Sequence, residues 1–511
     1  MKLHSKGGLL FAAALAVAAG VLVTPAAAAA AAEPPTQISS DPFTNPTSQH
    51  KTQVEPDTLS FGRTVVAAVQ SGRFFDGGAS DVGWANSKDG GTSWTHGFLP
   101  GTTTLAQPAG PYDRVSDPVV AYDAKHRTWL ISTIALTDTS TGPLGAALLT
   151  NRSTNGGTSW TSPTTVRKAT GSENLDKDWT VCDNTPSSPF YGHCYTEWDD
   201  NGHVNLFQMS TSTDGGRTWK APATSPDRPC VIGGQPVVQP NGTVIVPIDD
   251  CVEGSLLSIR STDGGKTWSR AQFAAQTLSS LVAGHLRTSP LPSAEIDKNG
   301  KVYVVWQDCR FEAPNCAVND IVMTSSPDGI HWSLVQRVPA DPVGSGVDHF
   351  IPGLAVDKTT GGSTARLALT YYYYPDANCT VATCQLDVGF VSSINGGKTW
   401  SAKQQLAGPM SVTWLASTSQ GNMVGDYIST SLPTGKTDAA PGFELAAAPT
   451  GTQFNEATFT DSGPLAQLTG GALQPDTDSN PATANPATAN PDTAGPDTAG
   501  PAPATPPLTS R

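Results

Sequence analysis

One short phrase recurs along this chain and limits what it can fold into. Aligned on its tryptophan, it reads SKDGGTSW at 87, STNGGTSW at 153, STDGGRTW at 212, STDGGKTW at 261, SPDGIHW at 326 and SINGGKTW at 393. A unit returning every 49 to 67 residues marks a repeat architecture, in which each unit buries an apolar face against its neighbours. Each letter has a physical task. The Asp or Asn side chain accepts hydrogen bonds from the turn's own amides, glycine supplies positive φ, and the Ser or Thr hydroxyl ties off another backbone group. The tryptophan packs beneath as an apolar plug. Composition agrees: 14% charged residues with 50 Gly and 42 Pro favours many short strands joined by tight turns.

The phrase resembles the Asp-box, or BNR, repeat found in sialidases and related proteins, where it joins the third and fourth strands of a propeller blade. The resemblance implies an all-β chain, a β-propeller of four-stranded antiparallel blades. Seven candidate innermost strands set the count: VEPDTLSF, SDPVVAYD, KDWTVCD, QPVVQPNG, PLPSAEIDKNG, FIPGLAVD and GDYISTS. Seven blades over residues 52–465 are therefore expected, or six if the last segment only closes the ring. Because neighbouring strands run antiparallel, the box turns lie opposite the starts of the innermost strands. The boxes are read as structural caps, and recognition is assigned to the other face.

That other face collects Glu55, Asp57, Arg114, Asp117, Asp176, Asp178, Trp179, Arg287, Asp348, His349, Asp426 and Tyr427 at strand starts, with Arg73, Asp249, Asp250, Trp306, Asp308 and Arg310 in loops. Convergent carboxyls and arginines in a concavity are expected to form a ligand site. The sialidase resemblance implies arginines holding a substrate carboxylate, a tyrosine nucleophile and an aspartate acid. On this sequence it maps to Arg114 and Arg287, which share an R-x-S pattern, with Arg310 or Arg73 completing a triad, Tyr427 as nucleophile and Asp117 as acid. Asp178 joins the catalytic candidates, and Asp348 and Trp179 the substrate-binding ones. The family's F/Y-R-I-P run is absent: YDRVSDP carries the arginine without it.

The expected function is a secreted sialidase-like glycoside hydrolase, an exo-glycosidase acting on terminal, acidic sugars of glycans or polysaccharides. The alternative is a noncatalytic cell-surface propeller binding glycan or protein, with Trp179, Trp306, Phe311 and Tyr427 as stacking platforms. A polysaccharide lyase with His349 as base is weaker. No cofactor is required, although Asp176 with Asp178, or Asp249 with Asp250, could hold Ca²⁺ through oxygen ligands.

Residues 1–32 read as a signal peptide: Lys2 and Lys6 precede an apolar run and an alanine tract with A-x-A cleavage positions. Its removal leaves no membrane span and makes an already acidic chain, of net charge −14, more so, which argues against nucleic acid as a partner. Export suits the eight cysteines, paired here as sequential neighbours: Cys182 with Cys194, Cys230 with Cys251, Cys309 with Cys316 and Cys379 with Cys384. Residues 33–51 read as a linker and 466–511, rich in Pro, Ala and Thr, as a disordered tail suited to cell-wall association. The expected molecule is an extracellular monomer.

Overall fold

A computed structural model describes Met1 and residues 34–312, 314–461 and 468–478. The expected signal peptide, apart from Met1, and the tail beyond residue 478 lie outside the described residues. Among those described, helix is confined to three single 3-10 turns, at Asn201–His203, Gly362–Thr364 and Val412–Trp414. No described helix is long and apolar enough to cross a membrane.

The chain is an all-β propeller whose sheets follow one another as antiparallel meanders. The strand count per sheet departs from the uniform four expected. The sheet of Leu175–Cys182, Cys194–Asp200 and Leu206–Ser212 has three strands, and the next has five because Val231–Ile232 and Val237–Val238 both pair with Val244–Asp250. Strands from Gln53–Phe61 through Thr164–Lys168 form one eight-stranded sheet. A single paired position, Ala79 with Val115, joins its two halves.

The core is a series of layers between successive sheets. Val237 and Ile245 of one sheet pack with Ile296, Val302 and Val304 of the next. Tyr303 and Val305 in turn meet Leu354, Leu367 and Trp400. Central strands are thus covered on both faces, which is why Leu367–Tyr374 (LALTYYYY) and Val302–Asp308 (VYVVWQD) are buried throughout rather than alternating.

The repeated turn folds as its letters require. Ser87 donates to Asp89, Gly91 N donates to Ser87 Oγ, and the Thr92 and Ser93 amides both donate to Asp89 Oδ1. Ser93 Oγ reaches the other carboxylate oxygen at 2.7 Å. In the shortened copy, His331 Nδ1 takes that place against Asp328, at 2.7 Å. Glycine is obligatory where turns meet the neighbouring sheet: Gly265 has φ +78°, and a Cβ there would lie 2.4 Å from Thr211 Oγ1. The turns also fasten sheets together, since Arg152 Nε donates to Gly215 O at 2.6 Å and Arg260 Nη1 to Asp328 O at 2.7 Å.

All four sequential disulfides are present, closing loops of 5 to 21 residues. Such bridges typically contribute about 2–4 kcal/mol each by restricting the unfolded chain.

Two segments that the sequence suggested as linker and tail are held by the sheets. Thr36–Gln37 pairs antiparallel with Glu456–Thr460, so this short strand joins the last sheet and covers an edge. Residues 468–478 run along the outer strands of two sheets. Trp400 exchanges backbone hydrogen bonds with Leu473, Arg337 N donates to Asp476 O, and Arg337 Nε pairs with Asp476 at 2.9 Å. Free edge amides and one buried arginine capture a segment whose composition predicts no core of its own.

Candidate active site

Four innermost strands carry the same defect. Their pairing slips by a β-bulge between Val54 and Asp57, Ser116 and Val119, Asp176 and Trp179, and Phe350 and Gly353. At each slip one non-glycine residue takes positive φ: Glu55 at 59°, Asp117 at 49°, Lys177 at 53° and Ile351 at 49°. Three of these precede proline (Pro56, Pro118 and Pro352), which cannot donate to the ladder and is tolerated within a strand at a bulge. Each such backbone costs on the order of 1–3 kcal/mol, and conformations of this sort concentrate at functional sites.

The bulges bring their side chains to two adjoining cavities that share Asp117 and Lys177. The wider, about 170 Å³, is lined by Glu55, Arg73, Ser116, Asp176 and Arg287 among others. The narrower, about 20 Å³, has Asp426 with Asp178 on one side and a largely apolar lining of Trp179, Leu291, Pro292, Ile351, Pro352 and Tyr427.

Asp426 anchors the charges. Arg287 grips both of its oxygens, with Nε at 2.7 Å, and Lys177 Nζ pairs with it as well. Burial works to raise the Asp426 carboxyl, but the Arg287 and Lys177 charges overcome it and hold the group well below the usual range. Glu55 behaves oppositely. Burial first, then the neighbouring Asp117 and Asp426 charges, push it up to about 8, so it keeps its proton at neutral pH. Gln70 Nε2 donates to Glu55 and, at 3.1 Å, to Ser116 Oγ, and Ser116 donates to Asp117 Oδ1 at 2.6 Å. A hydrogen-bonded path therefore joins the two bulge acids. Asp117 is 4% exposed, and its second oxygen, Oδ2, has no hydrogen-bond partner.

Behind them sits a buried acidic layer. Burial above all raises Asp178, Glu197 and Asp199 well over the carboxylate range, and mutual charge adds to it. Asp57, raised to about 7 mainly by burial, accepts from Val120 N at 2.7 Å and Ser429 Oγ at 3.1 Å, tying three strands together.

Of the residues expected from sequence, Asp117 lines both cavities, Asp178, Trp179 and Tyr427 the narrow one and Arg287 the wide one. Trp179 meets Tyr427 edge to face at 5.4 Å. The Tyr427 hydroxyl donates to Pro118 O at 3.3 Å, and burial with the nearby acids raises it well above the usual phenol range. Arg114 adjoins the wide cavity through Asp76, which lines it; it pairs with Asp76 and with Asp138 at 2.7 Å and lies 4.2 Å over the Phe74 ring. Arg310 and Asp348 line neither cavity. Arg310 is tied to Asp308 at 2.7 Å and to Asp478, and Asp348 accepts from Asn319 N at 2.8 Å. Trp306 is buried on Asp308, and His349 is buried against Asp341 at 2.9 Å, both away from the cavities. Trp94, Trp219 and Trp268 line neither. Among the described residues no group of three or more His, Cys, Asp or Glu is arranged to hold a metal ion.

Lys177 and Gln70 were not anticipated. Aligning VEPD, SDPV and DKDW shows Lys177 at the position of Glu55 and Asp117, and that register was the available signal. Gln70 lies mid-strand in TVVAAVQSGR, and nothing local sets it apart.

Residues 190–353 match the BNR repeat-like domain family. No curated protein matches the chain. Solved structures with a similar fold include a leech intramolecular trans-sialidase complexed with 2,7-anhydro-Neu5Ac, at 12% identity and TM-score 0.44, over 67% of each chain. A Trypanosoma rangeli sialidase in complex with sialic acid is 14% identical with TM-score 0.43, over 70% of this chain and 57% of that one. An ulvan lyase of polysaccharide lyase family PL25 is 11% identical with TM-score 0.49, over 85% and 97%. Six turns of the Asp-box pattern thus recur along an all-β propeller, and the match to the BNR repeat-like domain family spans residues 190–353 of it.

Proposed function

We propose that the chain is a secreted, sialidase-like glycoside hydrolase that removes terminal sugars, the wide cavity receiving the sugar ring. The observation that supports this reading is the Glu55–Gln70–Ser116–Asp117 path: a carboxyl that holds its proton at neutral pH, linked to one whose second oxygen has no hydrogen-bond partner. Paired carboxyls in unequal environments divide acid and base roles between them. Glu55 protonates the leaving oxygen, and Asp117 Oδ2 acts on the anomeric carbon directly or through water. This shifts the acid role from Asp117 to Glu55. Tyr427, its hydroxyl on a backbone carbonyl, and Trp179 wall the adjoining narrow cavity instead of the one that takes the ring. The eight-stranded sheet counts as two blades fused at Ala79 and Val115, which brings the ring to seven. The four disulfides suit an extracellular setting, and the molecule acts as a monomer.

The test is a panel of fluorogenic exo-glycosides, neutral and acidic, offered to the mature chain. Turnover of at least one is expected, falling at least about 100-fold in both Glu55→Gln and Asp117→Asn with unchanged circular dichroism. A folded protein that turns over none of the panel, or variants that retain full activity, would overturn the reading.

A further inference from the structure

We infer that the Asp-box end of the three-stranded and five-stranded sheets carries a second binding surface, a basic patch that docks acidic polysaccharide. The inference rests on no part of the hydrolase reading.

The patch lies at the far end of the strands from the cavities. Leu175–Cys182 starts at the Asp176 bulge, and its other end, Cys182, is level with Cys194 and with Ser212, where a box begins. Residues 183–193 join the first two strands there, closed at the base by the Cys182–Cys194 disulfide. This connection spreads over its neighbours instead of turning tightly. Asn184 accepts from Ala124 N and donates to Tyr122 O, both at 2.8 Å, and Lys125 Nζ donates to Tyr191 O at 3.0 Å. Phe190 lies on the box at 261–268, where a Cβ on Gly264 would come within 2.6 Å of its ring. The box at 212–219 abuts the same turn as Lys125, since a Cβ on Gly215 would lie 3.0 Å from His126. Two boxes, a turn and the long connection therefore form one continuous surface.

Lys125, Arg127, Arg217, Lys220 and Lys266 stand exposed on it. Among the described residues, none of their charged groups has a carboxylate within ion-pair distance. The acids of these segments are spent locally. Asp214 and Asp263 accept from the amides and hydroxyls of Thr218 and Thr267, Asp123 pairs with His126 at 2.6 Å, and Asp183 accepts from Ser188. His193, at the end of the connection, feels the excess: burial first, then the Lys220, Lys125 and Lys266 charges, hold its imidazole below the usual range. Unpaired cations gathered on one face of a chain of net charge −14 mark that face for an anionic partner.

Spread over four segments instead of converging on one point, these cations fit a polymer better than a small anion. Most are lysines, compact hydrated point charges suited to many weak contacts along a chain. Asp214 and Asp263 stand among them, which a polymer with one charge per sugar can pass between. Duplex DNA, with a phosphate charge for about every 1.7 Å of its axis, would press like charge onto both.

The test is biolayer interferometry of the mature chain on immobilised polygalacturonate, hyaluronate, dextran and duplex DNA. Both acidic polysaccharides should bind at least about tenfold more tightly than dextran or DNA, and should weaken at least about tenfold between about 50 and 200 mM NaCl. Lys125→Gln combined with Lys220→Gln and Lys266→Gln should lower that affinity at least about tenfold. Lys298→Gln combined with Lys358→Gln and Lys398→Gln removes equal charge from exposed turns elsewhere, and should lower it less than about twofold. No acidic polysaccharide bound, dextran or DNA bound as tightly, or equal losses in the two triple variants overturns the inference. Should the first triple variant fail to fold, Lys266→Glu alone is read in its place, and undiminished binding there counts against the patch. A chain that binds these polymers yet cleaves no glycoside removes the hydrolase alone.

Discussion

The box turns and the inner bulges use the same residue type to opposite ends. At the turns, exposed aspartates accept several hydrogen bonds from their own loop. Against the opposing cost of burial, the largest single influence, these together hold Asp89 and Asp328 down to about 2. At the bulges, Glu55 sits buried among other acids and is raised to about 8. Where local backbone donors and water surround a carboxylate it is a fastener; where both are withdrawn it becomes a proton carrier. Order at the turn releases no strain, whereas each bulge holds a residue in a costly left-handed conformation. Exposed, locally bonded acids thus mark the turns, and buried, conformationally strained ones the bulges.

The broadest way to break this division is to injure each face separately. Trp400, fully buried beneath the last box, should cost about 3–5 kcal/mol when replaced by alanine, read by urea denaturation. Activity per folded molecule should not change. At the mouth, Glu55→Gln should reverse the pattern, with at least about 100-fold lost turnover and undiminished stability, since the amide matches in size the neutral acid it replaces. A Trp400 variant that lost catalysis while still folded would unseat the contrast.

The pH dependence sharpens it. The Glu55 carboxyl binds its proton more tightly folded than unfolded, so its contribution to stability is complete below about 4.5 and is lost as pH rises towards about 8. Glu55→Gln should flatten that decline in thermal melts between these limits. The general-acid limb of the rate profile should fall above about 8. Asp89 has the reverse sign: its contribution is present above about 3.8 and is lost as pH falls towards about 2, so Asp89→Asn should steepen nothing at neutral pH and soften the acid transition.

The smallest effect is expected at the exposed boxes. Asp263→Asn should change stability by less than about 0.5 kcal/mol, because Asn155 and Asn395 already serve two turns, with Asn155 Oδ1 accepting the same amides. Asp263→Ala, which removes the acceptor, should cost about 1 kcal/mol, measured by the same denaturation series.

Much of this was legible in advance. The box letters predict a self-contained turn, and each copy makes the hydrogen bonds its letters allow, His331 included. The cysteines pair as the sequential neighbours expected, although eight cysteines by themselves admit many other connectivities. At the site, Asp117, Arg287, Trp179 and Tyr427 were placed by register at strand starts. Asp348 shared that signal and Arg310 was expected from a loop, yet both line neither cavity, because position along the chain does not fix which wall of a sheet a side chain meets. Residues 36–37 and 468–478 look like linker and tail, yet both pair with edges that exist only once the sheets have formed.

By itself the sequence determined the repeated hairpin and the all-β character, since both follow from interactions among residues close along the chain. Tertiary structure decided which acids hold protons, that Arg287 and Lys177 answer to Asp426, and that Gln70 and Ser116 link Glu55 to Asp117. Those depend on burial and on charges brought together from strands hundreds of residues apart, as Lys177 and Asp426 are by 249 positions. Desolvation and Coulomb interaction act through space, and no local pattern records them.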